Sequence, residues 1–139
     1  MENIFNFIAK YYDLLYEDKD SKTEALYIHS FLNKYSKNKN SILEFGLGTG
    51  RHAKEFINLG YDVYGIERST DMCNELSKIS GLKYFKGDIN TINLDKKFDS
   101  ILSLFHVISY QTTNEKILQV FKNANLHLEK GGLFIFDVW

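Results

Sequence analysis

At 139 residues, 44% hydrophobic and 15% aromatic, the chain has the length of one domain and enough apolar side chains to bury a core. A net charge of −1, with both signs interspersed, excludes the basic footprint of a nucleic-acid-binding surface. The single cysteine, Cys73, excludes an internal disulfide and a cysteine-cluster metal site. With no leader-like segment and no apolar run of membrane length, a soluble, cytoplasmic protein with no membrane partner is expected.

Residues 1–40 read as a helical cover ahead of a sheet. Ile4, Phe5, Ile8, Tyr11, Tyr12 and Leu15 fall near helical spacing, and Ala25, Leu26, Ile28, His29, Phe31, Leu32 and Tyr35 form a second helical pattern. Residues 41–139 then alternate strand and helix. Ile42, Leu43 and Phe45 make a buried strand that runs into Gly46, Gly48 and Gly50, with a helix from Arg51 to Leu59 directly after. Glycines in such a loop let a ligand approach the backbone, and the helix start offers N–H groups to an anion. The second strand, Tyr61–Glu67, ends in an acid placed to accept from ribose hydroxyls. Ser69 caps a helix over Thr70–Ser80, with Met72, Leu76 and Ile79 inward. Leu82–Lys86 is the third strand, leading into Gly87, Asp88 and Ile89, and Phe98–Phe105 is the fourth. Thr113 caps an amphipathic helix over Asn114–His127 with Ile117, Leu118, Phe121, Ala124 and Leu128 inward. A turn at Lys130–Gly132 precedes a fifth strand, Leu133–Trp139. Strict alternation predicts an α/β, Rossmann-like parallel sheet of about five strands in the order 3-2-1-4-5, with helices on both faces. The ligand is expected outside the carboxyl ends of the strands, where the order reverses between the first and fourth.

The glycine spacing is G-x-G-x-G after Glu44, with Arg51 where the dinucleotide fingerprint has its third glycine. That motif, the Gly-Asp-Ile step at Gly87–Ile89 and the blocks Phe98–Tyr110 and Gly131–Trp139 resemble the class I S-adenosylmethionine-dependent methyltransferases. Within that family they look most like small-molecule enzymes such as the amino-sugar N-methyltransferases. The resemblance implies S-adenosyl-L-methionine as cofactor and a small-molecule acceptor methylated on nitrogen or oxygen. It implies cofactor contacts from Tyr11, Tyr16, Glu44, Gly46, Gly48, Gly50, Glu67, Arg68, Asp88, Ile89 and Leu104 (Leu104 or Phe105 through its carbonyl), with Asp88 and Ile89 on the adenine. The acceptor must lose a proton, and an imidazole exchanges one near neutral pH, so His106 is the catalytic candidate, ahead of Tyr110 and Asp137. No metal is expected, because His29, His52, His106 and His127 show no ligand spacing. The family's sheet has seven strands, so the chain reads as truncated after the fifth, with an edge that invites homodimerisation. A non-catalytic cofactor-binding fragment and a nicotinamide-dependent oxidoreductase are the competing readings.

Overall fold

The computed structural model describes residues 20–38 and 40–138. Tyr11 and Tyr16, expected over the ligand, lie outside the described residues. Helix α1 (Ser21–Tyr35) starts where the Asp20 carboxylate accepts the Thr23 N–H at 2.9 Å, a side-chain cap for an otherwise unpaired donor. Five parallel strands follow: β1 (Ser41–Phe45), β2 (Asp62–Glu67), β3 (Lys83–Lys86), β4 (Phe98–Ser103) and β5 (Leu128–Phe136). They lie in the order β3-β2-β1-β4-β5, as the alternation predicts. The connections are α2 (Arg51–Asn58), α3 (Thr70–Leu76), a 3₁₀ turn over Val107–Tyr110 and α4 (Asn114–Leu126).

Successive residues of a strand face opposite sides of the sheet, so the core has two layers. Ile42, Val63 and Leu102 pack with Ala25, Ile28 and Leu32 of α1 and with Ala53 and Phe56 of α2. Leu43, Phe45, Ile66 and Ile101 pack on the other face with Val120 and Ala124 of α4. Two histidines fasten α1 down. Asn33 Nδ2 lies 3.1 Å from His29 Nε2, which assigns the ring proton to Nδ1, and that N–H donates to the Tyr61 hydroxyl at 2.7 Å. His52 Nε2, on α2, lies 2.8 Å from the Glu24 carboxylate.

Four elements depart from the sequence reading. Helix α3 ends at Leu76, short of the expected Ser80. The fifth strand opens at Leu128, and Gly131 and Gly132 are an irregularity inside it. Phe98 pairs with Leu128 but Ser100 with Leu133, so β5 carries extra residues against β4. A Cβ at Gly132 would lie 2.9 Å from the Asp99 carbonyl oxygen, which is why the crowded bulge holds glycine. Helix α4 buries Ala124 as expected, but Val120 and Asn123 complete its inner stripe, whereas Leu118 is 54% exposed and Phe121 is also exposed. Polar anchors turn the helix this way. Asn123 Nδ2 donates to the Ile89 carbonyl at 2.7 Å, and His127, just past the helix end, accepts the Leu94 N–H on Nε2 at 3.0 Å. Finally, β4 stops at Ser103, and Phe105 takes a left-handed backbone with φ of +61°.

Candidate functional site

A cavity of about 550 Å³ opens at the carboxyl ends of β1, β2, β3 and β4. Its wall includes Glu44, Gly46, Gly48, Glu67, Arg68, Asp88, Ile89 and Leu104 of the expected contacts, together with Phe105, Val107 and Tyr110. The crevice at a strand-order reversal is where open α/β sheets bind ligands.

The two glutamates in the wall differ in their partners. Glu67 Oε2 accepts the Gly48 N–H at 2.7 Å, and Oε1 accepts the N–H groups of Arg68 and Ser69 at 2.8 and 2.9 Å. A carboxylate has about four lone-pair sites. Three are taken, so the pair of ribose hydroxyls expected at Glu67 meets one open site, on Oε2; the rest of the carboxylate ties the glycine loop at Gly48 to the turn at Arg68 and Ser69 that opens α3. Burial pushes the Glu67 carboxyl up, and those three N–H groups pull it back. Glu44 is 2% exposed, and its Oε2 has no hydrogen-bond partner among the described residues. Burial, with the neighbouring Glu67 charge, pushes its carboxyl up to about 8. Ser21 Oγ is likewise buried, unpartnered and in the cavity wall. Two orphaned polar atoms in one wall fit a ligand that brings its own donors and acceptors, because leaving each unpaired costs about 1–3 kcal/mol.

The glycines divide by role. A Cβ on Gly46 would lie 2.7 Å from a γ-carbon of Val107, so this glycine admits the β4 loop to the cavity floor. Gly50 does not line the cavity. It caps α2 with φ of +81°, and a Cβ there would lie 2.4 Å from Ile79 Cδ1. The position is glycine because α2 must turn sharply against the segment after α3. Asp88 Oδ1 accepts the Asn90 N–H at 2.8 Å, which fixes the carboxyl at the head of its turn.

His106 does not line the cavity. Its Nδ1 lies 3.7 Å from Asp137 Oδ1, on the flank of the corner that follows β4. Tyr110 is in the wall. Cys73 is buried. Among the described residues no group of three or more His, Cys, Asp or Glu side chains could hold a metal ion.

Sequence reasoning missed Ser21, Gly65 and the backbone role of Asp137. Gly65 faces Glu44 across the β1–β2 pair, and a Cβ there would lie 2.2 Å from Leu47 Cγ, inside the loop. A lone glycine inside a strand was the available signal, since it marks a close approach of another group.

The geometry defines a Rossmann-like α/β protein with a ligand crevice at the β1–β4 switch. A family described as "Methyltransferase domain" matches residues 42–132, and the chain belongs to it. The chain is 30% identical over 134 residues to the dTDP-3-amino-3,4,6-trideoxy-alpha-D-glucopyranose N,N-dimethyltransferase of Streptomyces venezuelae, covering 94% of this chain and 56% of that protein. The crystal structure of DesVI from Streptomyces venezuelae superposes with a TM-score of 0.87 at 29% identity, over 92% of this chain and 56% of that one. An S-adenosylmethionine-dependent methyltransferase from Clostridium acetobutylicum superposes with a TM-score of 0.83 at 26% identity, over 97% and 57%. The chain therefore spans a little over half the length of these relatives.

Proposed function

We propose that the cavity binds S-adenosyl-L-methionine and that the whole protein transfers its methyl group to a small-molecule acceptor, an amino sugar being the best-supported class. The observation that carries this is the unpartnered, buried Glu44 Oε2 in a glycine-lined crevice. The names of the relatives, a sugar N,N-dimethyltransferase and an S-adenosylmethionine-dependent methyltransferase, support the same chemistry.

When bound, the cofactor would supply a methyl group activated on a sulfonium: the acceptor's lone pair bonds to the methyl carbon in line as the carbon–sulfur bond breaks and the thioether leaves. The chain's task is alignment, which can provide much of the rate. In this reading Glu44 and Ser21 receive the charged methionyl end. Gly46 and Gly48 let it approach the backbone, Glu67 takes a ribose hydroxyl on Oε2, and Asp88 with Ile89 reads the adenine edge. Arg68 and Leu104 close the wall, with Leu104 offering its carbonyl. Where the acceptor must shed a proton, His106 is the candidate base for an acceptor seated on the flank of the corner, outside the cavity wall. The single buried cysteine fits a reducing compartment, and we read the site of action as cytoplasmic.

Isothermal titration with S-adenosylhomocysteine, with NADH in parallel, tests the reading. Binding of the first alone, weakened about tenfold or more by Asp88→Ala and several-fold by Ser21→Ala, is the expected result. Binding of NADH alone overturns it.

The outer edge of β5 pairs with no strand among the described residues, and Phe121, Phe134 and Phe136 cluster beside it. We read this edge as a homodimer contact. Light scattering should then show a concentration-dependent dimer, and a monodisperse monomer at high concentration removes the proposal.

A further inference from the structure

Two adjacent non-glycine residues take the left-handed backbone at the end of β4: Phe105 with φ of +61° and His106 with φ of +62°. Side chains disfavour this conformation, and residues held in it need support from their surroundings. The support comes from the far end of the next strand. Asp137 Oδ2 accepts the Phe105 N–H at 2.9 Å, and Oδ1 accepts the His106 N–H at 2.5 Å. Asp137 is itself seated by its own N–H, which donates to the Ser103 carbonyl at 3.2 Å. Successive N–H groups turned to one point make an anion-binding concavity, and here a carboxylate of the same chain fills it.

The corner decides what faces the ligand. Phe105 and Val107 stand in the cavity wall. The Val107 γ-carbons occupy the space that Gly46 leaves open, and Ile108 is buried behind them. His106, between them, is turned toward Asp137 and away from the wall. An extended backbone at 105 and 106 would reverse these faces and lift Val107 off the glycine loop.

We infer that Asp137 is a positioning residue: its carboxylate holds the Phe105–His106 corner in the left-handed form that seats Val107 on the glycine loop and so shapes the cofactor cavity. The cofactor part rests on the reading proposed above; the corner itself does not.

The test uses the whole chain and two readouts, S-adenosylhomocysteine affinity by titration and residue-resolved amide hydrogen exchange. Asp137→Ala should weaken binding about tenfold or more and speed exchange at Phe105 and His106 by a similar factor, while β1 and β2 stay protected. Asp137→Asn keeps the shape and one acceptor oxygen, so it should lose about threefold, and it carries the test if the alanine variant does not fold. Adding His106→Gly to Asp137→Ala should restore affinity to within about threefold of wild type, because glycine adopts the left-handed form without the carboxylate's help. A role in charge or general stability predicts no such rescue. Unchanged exchange at both amides in the Asp137 variants overturns the proposal, as does failure of the glycine rescue where wild type binds. If wild type does not bind S-adenosylhomocysteine, the cofactor reading falls, and exchange alone then decides for or against the corner.

Discussion

The cavity is built from two halves that solve the same problem differently. On the β1–β2 side the chain turns sharply by omitting side chains: Gly46 and Gly50 have positive φ, and Gly65 yields its space to Leu47. On the β4–β5 side Phe105 and His106 make an equally sharp turn with their side chains kept, held by a carboxylate from another strand. The acids divide in the same way. Glu44 in the first half has an oxygen without a partner among the described residues, and Asp137 in the second accepts two N–H groups. Glu44 thus keeps polar capacity for a ligand, whereas Asp137, like most of Glu67, spends its own on the chain.

The contrast can be broken at four points, here in order of expected effect. Gly50→Ala adds left-handed strain and forces a methyl against Ile79 and Leu76. It should cost about 3–4 kcal/mol, or a Tm drop of about 10–15 °C in a thermal melt. A smaller drop means that the segment after α3 gives way. Second, Glu44 should make stability fall as pH rises. Its folded-state value is about 8 against an ordinary 4.5, so between those values the unfolded chain has released a proton that the folded chain keeps. Below the ordinary value there is no difference, and above about 8 the full loss is in place. Glu67, raised in the same direction, adds to the fall. Urea midpoints should therefore decline by the equivalent of about 2–3 kcal/mol from pH 5.5 to 7.5, with most of the decline absent in Glu44→Gln. A stability that rises over that window would mean Glu44 is charged and paired. Third, Gly65→Ala should cost about 1–3 kcal/mol through displacement of Leu47, with S-adenosylhomocysteine affinity lost alongside stability. Stability lost with affinity intact would detach Leu47 from the site. Last, His106→Gly in the wild-type background should lie within about 0.5 kcal/mol of wild type, since relief of left-handed strain offsets the added freedom of the unfolded chain. A loss of about 1 kcal/mol or more would show that the histidine side chain, and not the backbone, holds the corner.

The half that the sequence discloses is the glycine half. Three alternate glycines between an apolar run and a helix, with acids at Glu44 and Glu67, announce themselves within two dozen residues, because the backbone geometry they serve is local. The corner does not announce itself, since its physical cause lies 31 and 32 residues away at Asp137. Phe105 reads as the end of a strand and His106 as the loop after it, and only the partner explains the sharp left-handed corner they make. Helix α4 misleads for a related reason. Apolar periodicity picks out Leu118 and Phe121, while the buried stripe is set by Asn123, with His127 just past the helix end; both are polar residues whose burial depends on the Ile89 carbonyl and the Leu94 amide. Strand order, by contrast, follows from alternation alone, since right-handed crossovers leave few other arrangements.

The family match begins at Ile42, yet the cavity wall includes Ser21, from a helix fastened to α2 and Tyr61 by Glu24 and His29. A chimaera spliced at the start of β1 would import a foreign wall along with its new leader. Recombination that trades specificity between relatives should therefore carry α1 and the sheet as one inherited block, with the seam upstream of Asp20.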